Sequence, residues 1–295
     1  MASSVDILQL APEANTPFVP PRLRWLRKNP TLVLGLVLLA MLIFDAVAAP
    51  RLAPLDPQDM DPMSRLQWAS ATHWLGTDAL GRDVFSRALW GGRVSLLVGF
   101  CVSVLATCVG AFLGLVAGFM PKLDGLLMRL MDSLMAIPGI LLAIALMAIT
   151  QPSIWTVVVA ITIPETPRVV RLVRSLALTL RERLYVEAAR AVGTRLPTIL
   201  WRHILPNMVA PLIVQATFVA ASAVLIEAAL SFLGVGIPTQ TPSWGNMMAE
   251  GRNYIAVAFH IILWPGAFLA ATVLAINMVG DGLRDVLDPR LARQL

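Results

Sequence analysis

Apolar residues run along this chain in six long blocks, and the polar residues gather between them. The blocks are Thr31–Ala49, Val94–Phe119, Leu126–Ile149, Ser153–Ile163, Met208–Leu233 and Ala256–Val279. Crossing a bilayer as a helix takes about 20 mainly apolar residues, and all but the fourth block meet that length. The fourth is short and is expected to break at Pro164 and Pro167, because a proline inside a helix removes a hydrogen bond and crowds the preceding turn. The pattern predicts an all-α, polytopic integral membrane protein with six transmembrane helices.

Between the blocks lie a polar tail (1–29), a long loop (50–93) and a core (94–281) with a polar excursion at 181–206, followed by a second tail (282–295). "APEANTPFVPP" (11–21) reads as an extended or disordered leader. Arg22, Arg24, Arg27 and Lys28 then lead directly into a full-length span, unlike a cleaved signal peptide. In the loop, "HWLGTDALGRDVFSRALWGGRVS" mixes aromatics, turn residues and opposite charges, which predicts partial order. Asp83, Phe85, Arg87 and Leu89 suggest an amphipathic helix at the membrane face. The stretch Gly234–Tyr254 is too polar to span but carries Trp244, Met247 and Met248. It plugs a path, receives an external protein, or anchors at headgroup level through Trp244.

Composition agrees with a membrane chain: 57% of residues are hydrophobic and 14% charged, against about 25% charged in soluble domains. The net charge of +5 is concentrated in residues 168–202, where eight Arg face only Glu182 and Glu187. A cationic belt beside the membrane accounts for this without nucleic-acid binding. With the N-terminus inside, all but six of the 23 Lys and Arg fall on the inner side or in the helix turns next to it. Of those six, Arg51, Arg65, Arg82, Arg87 and Arg93 lie in loop 50–93 beside Asp56, Asp59, Asp61, Asp78 and Asp83, and Arg252 lies farther on. The positive-inside rule therefore favours both termini in the cytoplasm.

That orientation places "LYVEAARAVGTRLPTILWRHILPN" (184–207) inside. Residues 181–192 are mostly strong helix formers. Gly193 is expected to end the helix in the left-handed conformation, and Pro197 to open a second short helix that stops before Pro206. The elbow reads in two ways. It is a hook on which a partner docks, with Ala188 and Ala189 small enough for close approach. Alternatively it is a loop whose Glu187 pairs with Arg183 or Arg190 at helical spacing.

Glu187-Ala188-Ala189, then Gly193, then His203-Ile204-Leu205-Pro206 resembles the "EAA" loop of membrane subunits in binding-protein-dependent ABC importers. "GTDALGRDVFSRALWGGRVSLLVG" (76–99), "LSFLGVGIPTQTPSWGNMMAEGRNY" (230–254) and "NMVGDGLRDVLDPR" (277–290) are similar to the C-type permeases of the peptide/nickel branch. The likeness spans roughly residues 30–290. Two places depart from that pattern: Pro164-Glu165-Thr166-Pro167-Arg168, and Pro121-Lys122 at the turn between the second and third blocks. The resemblance implies a type I ABC importer permease fold in a bacterial inner membrane. It also implies a B-type permease partner, two ATPase subunits and an external solute-binding protein, with di- or oligopeptides as cargo. Glu187, Ala188, Ala189, Gly193, His203, Leu205 and Pro206 would couple the elbow to an ATPase subunit, and ATP and Mg2+ would be bound by those partners.

No catalytic constellation is present in the sequence. The only lysines, Lys28 and Lys122, follow no glycine-rich loop, so there is no phosphate-cradling motif. Histidines stand only at 73, 203 and 260, without zinc-site spacing. Cys101 and Cys108 lie on one span and read as small buried hydrophobes.

Ionisable residues inside spans are functional candidates because burying them is costly. Asp45 and Asp132 lie near span ends, and Asp132 can reach Arg129 one turn earlier. Glu227 lies deeper: it either faces a translocation path and meets a peptide ammonium, or bonds a neighbouring helix. Ala216, Ala220, Ser222 and Ala223 mark close helix packing there. A stand-alone secondary transporter or channel using Glu227 and Asp132 is the rival reading; it has no need of the elbow.

Overall fold

The computed structural model describes residues 29–287. The expected leader with its basic cluster, and residues 288–295 of the second tail, lie outside that range. Every element of three or more residues within it is helical.

Helix α1 (Pro30–Leu52) starts on a proline, whose missing N–H would be unbonded at a first turn in any case. Helix α2 (Val84–Phe119) is 36 residues long and begins well before the second apolar block. Asp83 starts it by accepting a hydrogen bond from the Ser86 N–H at 2.7 Å. Residues 84–93 are therefore the opening turns of α2 rather than loop. They do not form an amphipathic helix on the membrane face, because Arg87 and Leu89 point into the protein and are buried.

The third block is bent. Helices α3 (Pro121–Ala136) and α4 (Gly139–Ala148) meet at 88° across Ile137-Pro138. Residues Pro164 and Pro167 break nothing, contrary to the sequence expectation: α5 (Ile154–Arg181) runs through both. Thr162 and Thr166 donate to the carbonyls of Val158 and Thr162 at 2.7 and 2.8 Å, adding bonds to the turns that the prolines weaken. Packing supplies the rest. Gly110, Gly114 and Gly118 of α2 lie against Val169, Val173 and Ala177 of α5, and a methyl on any of these glycines would come within 2.7 Å of its partner. Lipid tails are as apolar as the side chains they would replace, so dispersion contacts at such short range, not escape from water, hold the pair together.

Beyond α5 come α6 (Leu184–Ala191), α7 (Leu196–Ile199), a π-helical turn (Leu200–Ile204) and α8 (Leu205–Phe232). A short helix α9 (Trp244–Gly251) precedes the last helix, α10 (His260–Leu287). Residues 282–287, assigned above to the tail, continue α10. Among the described residues, α1, α2, α10 and the continuous stretch 196–232 are long and apolar enough to cross a membrane, and α3 with α4 makes a fifth if counted as one bent span. Helix α5 is also long enough but carries Glu165, Arg168, Arg171 and Arg174.

Of the two cysteines, Cys101 is half-buried against the core, whereas Cys108 is exposed on the outer face of α2 and is not the buried hydrophobe expected.

Candidate functional site: the elbow, its stem and the opposite cap

Helix α6 ends as its sequence dictates. Gly193 has φ +77°, its N–H donates to Arg190 O at 2.9 Å, and the Thr194 N–H donates to Ala189 O at 3.0 Å. This is the paired-bond glycine stop that satisfies the last carbonyls of a helix. The second limb differs from expectation. Pro206 does not terminate it; the chain passes from α7 through one π turn into α8. The Leu205 N–H reaches Leu200 O, five residues back. A proline at 206 has no N–H for Arg202 O, and the wider turn takes up that vacancy. The elbow is thus rigidly continuous with a membrane-crossing helix.

Its faces divide cleanly. Val186, Ala189, Ile199 and Ile204 are buried in the main core cluster. Of the alanine pair only Ala188 faces out; Ala189 is a packing residue. Leu184 and Val192 are 83% and 82% exposed, and Glu187 stands exposed between them in sequence. Among the described residues Glu187 pairs with neither Arg183 nor Arg190. His203 is half-buried with its ring 6.4 Å from that of Tyr185, Leu205 is half-buried and Pro206 is exposed. A shallow cleft beside them is lined by Pro197, Thr198, Trp201, Arg202 and Pro206.

The stem of the elbow carries a feature that spacing alone does not reveal. Arg174 of α5 grips Asp124 of α3 with two bonds, at 2.5 and 2.6 Å, and Arg171 reaches Asp132 at 2.6 Å. Asp132 therefore pairs with Arg171, not with Arg129. Forked Arg–carboxylate pairs fix orientation as well as distance, so Arg174 and Asp124 set how α5 lies against the bent α3–α4 segment.

Glu227 is 0% exposed. It accepts hydrogen bonds from Ser95 of α2 and Ser231 of α8, both at 2.9 Å. The carboxylate thus bonds α8 to the neighbouring α2. Ala216 and Ala220 make the close approach anticipated for them: Ser103 donates to Ala216 O at 2.6 Å, and Gly99 packs against Ala220 O and Val224.

At the other end of α2 the loop 53–83 folds into a cap. Its centre is a charge cluster absent from the candidate residues. Arg87 bonds Asp78 and also Glu250, at 2.7 Å to one carboxylate oxygen and 3.2 Å to the other. Arg82 bonds Asp78 at 2.7 Å and Glu250 at 2.5 Å. Trp244 is 2% exposed, donates to Ala88 O at 3.0 Å and stacks on Phe268. It is a core residue of the cap, not a headgroup anchor, because α9 wedges between α2, α8 and α10. The Asp61 carboxylate is held below its ordinary pKa by the Ser64 hydroxyl and the Met63 N–H.

Comparison with known proteins adds three findings. Residues 106–293 match the model of the binding-protein-dependent transport system inner membrane component family, and residues 23–68 match the N-terminal TM domain of oligopeptide transport permease C. The chain is 53% identical to a probable peptide ABC transporter permease of Sinorhizobium fredii, over 91% of this chain and 92% of that one. It is 42% identical to a dipeptide transport system permease of Alkalihalophilus pseudofirmus, with 96% of each covered. A di/tripeptide transport system permease of Pseudomonas aeruginosa is 45% identical, with 87% of each covered. In fold, a chain of the inward-facing MetNI methionine ABC transporter superposes with TM-score 0.57 at 20% identity, over 67% of this chain and 94% of that one.

Proposed function

Because this chain belongs to the family of binding-protein-dependent transport system inner membrane components, we propose that it forms half of the membrane path of an ATP-driven importer of di- or oligopeptides. A second, B-type permease completes the path. Two ATPase subunits bind ATP and Mg2+ in the cytoplasm of a bacterial cell, and a solute-binding protein delivers peptide to the outer face of the inner membrane. Peptide cargo is what the names of the 42–53% identical relatives support. Both termini lie inside, in keeping with the charge distribution.

The elbow carries the proposal. Leu184, Ala188 and Val192 offer an apolar surface to a groove, and Glu187 offers a carboxylate that no cation among the described residues pairs with. A secondary transporter driven through Glu227 and Asp132 is not favoured, since one is enclosed by hydroxyls and the other is paired with Arg171.

Glu187→Lys tests the coupling. On an exposed face it shifts stability by no more than about 0.5 kcal/mol, while reversing the docking charge. The expected result is normal membrane insertion, loss of the ATPase subunits in a pull-down, and loss of peptide uptake. Retention of both assembly and uptake overturns the coupling role.

A further inference from the structure

A cleft of about 950 Å3 opens on the flank of the molecule between α1, α2 and α8. That lies at the upper end of the roughly 300–1,000 Å3 of ordinary ligand pockets. Its walls are hydrocarbon: Ile43 and Val47 from α1, Leu97 and Phe100 from α2, Ile213 and Val224 from α8. Three hydroxyl residues also line it: Ser103 and Thr217, which donate to the carbonyls of Ala216 and Val214, and Thr241 from the segment before α9. A polar solute or an extended peptide would therefore leave most of its own donors and acceptors unbonded along these walls, which is costly away from water.

One end differs. Arg93 lines the rim, is exposed, and lies 4.8 Å from the centre of the Trp90 ring in a cation–π contact. No carboxylate pairs with it among the described residues. The apolar block of α2 begins at the next residue, Val94. Arg93 and Trp90 therefore mark the level at which hydrocarbon gives way to headgroups, where tryptophan and long cationic side chains concentrate. A fixed cation at that depth, directly above a hydrocarbon cleft, matches the layout of a phospholipid: anion at the interface, chains beneath it.

We propose that the cleft seats the acyl chains of an anionic glycerophospholipid from the leaflet at the N-terminal end of α2, with its phosphate held by Arg93. The site differs from the elbow and from Glu227, and the proposal does not rest on the import reading. Net negative headgroups are preferred over zwitterionic ones because no second charge of the lipid offsets the attraction to Arg93. One such contact near a membrane surface corresponds to roughly a fivefold preference.

The test uses the full chain with its accompanying subunits, incorporated in nanodiscs of phosphatidylglycerol and phosphatidylethanolamine. Retained lipid is counted by native mass spectrometry after transfer to detergent. Wild type is expected to retain phosphatidylglycerol with roughly a fivefold preference. Arg93→Gln is expected to keep lipid but lose that preference, and Val47→Trp, which narrows the cleft from its exposed side, to lower retention of both lipids. A photoreactive residue at Val47 is expected to crosslink to lipid in membranes. No retained lipid, an unchanged preference in Arg93→Gln, or a crosslink from Val47 to another polypeptide would each overturn the proposal. The last of these outcomes would make the cleft a subunit interface.

Discussion

The cap and the elbow, at opposite ends of the helices, handle charge in opposite ways. In the cap, Asp78, Arg82, Arg87 and Glu250 neutralise one another, and Arg87 and Asp78 are almost wholly buried. In the elbow, Glu187, Arg183, Arg190 and Arg195 stand exposed, and none pairs with another among the described residues. The cap answers its charges from within, although Arg87 Nε and His260 Nδ1 are buried there without a hydrogen-bond partner among the described residues. The elbow is equally well formed in backbone, with its glycine stop and its continuity into α8, yet leaves its side chains unanswered. Rigid backbone with unmet side-chain chemistry is what a docking element requires, since little conformational entropy remains to be lost on binding.

The sharpest way to break that contrast is at Arg87. Arg87→Met leaves Asp78 with Arg82 alone and removes one of the two cations that hold Glu250. Stranding part of a buried ion cluster costs about 3–5 kcal/mol, so the variant is expected to lose most of its yield and to denature far below wild type. Thermal unfolding of the purified chain measures this. The cap is not self-sufficient in the sense argued if Arg87→Met and an elbow variant such as Arg190→Met lose stability equally; Arg190→Met is expected to change it by less than about 0.5 kcal/mol.

Glu227 tests an intermediate case, a carboxylate answered by hydroxyls instead of cations. Serine hydroxyls donate or accept by rotation, so Glu227→Gln is expected to keep the junction between α2 and α8 with little change in unfolding temperature. Glu227→Leu leaves the Ser95 and Ser231 hydroxyls without their acceptor and is expected to cost about 1–3 kcal/mol. A path role for the carboxylate predicts instead that Glu227→Gln selectively slows uptake of cationic peptides at normal assembly. Equal uptake of cationic and anionic peptides, in proportions unchanged from wild type, would assign Glu227 to the junction alone.

How far the sequence speaks for each region follows from the range of its interactions. The elbow is legible because its signals are local: helix formers up to Val192, glycine at the stop and proline near the start of the second limb. Even there the burial of Ala189 depends on what lies beneath it, and the neighbouring alanines are indistinguishable in sequence. In the cap the mixed aromatics and charges signal order, but the pairing at its centre is illegible because Arg87 and Glu250 are 163 residues apart, and no periodicity links them. Pro164 and Pro167 give a true local signal that the tertiary structure overrides through the glycine face of α2. Trp244 misleads for a similar reason: a tryptophan near a span end suits the membrane interface equally well, until α9 folds inward and α2 supplies Ala88 O as its acceptor.

The finest comparison is between two glycines of nearly equal backbone conformation, Gly81 in the cap at φ +78° and Gly193 in the elbow at φ +77°. A side chain in the left-handed region costs about 1–2 kcal/mol at either position. The surroundings then separate them. A methyl at Gly81 would lie 1.8 Å from the Asp61 carbonyl oxygen, while one at Gly193 meets nothing within 4 Å. Gly81→Ala is therefore expected to displace the turn that sets Asp78 and Arg82, and so to lower global stability well beyond the conformational cost. In Gly193→Ala the effect is confined to that cost: the unfolding temperature stays within roughly 3 °C of wild type. Hydrogen exchange at the Gly193-position and Thr194 amides, which close the stop, is expected to quicken about fivefold, the equivalent of about 1 kcal/mol of local opening. A global loss in Gly193→Ala as large as in Gly81→Ala would show that the elbow is integrated into the fold as tightly as the cap, and its open surroundings would then no longer mark it as a surface held ready for a partner.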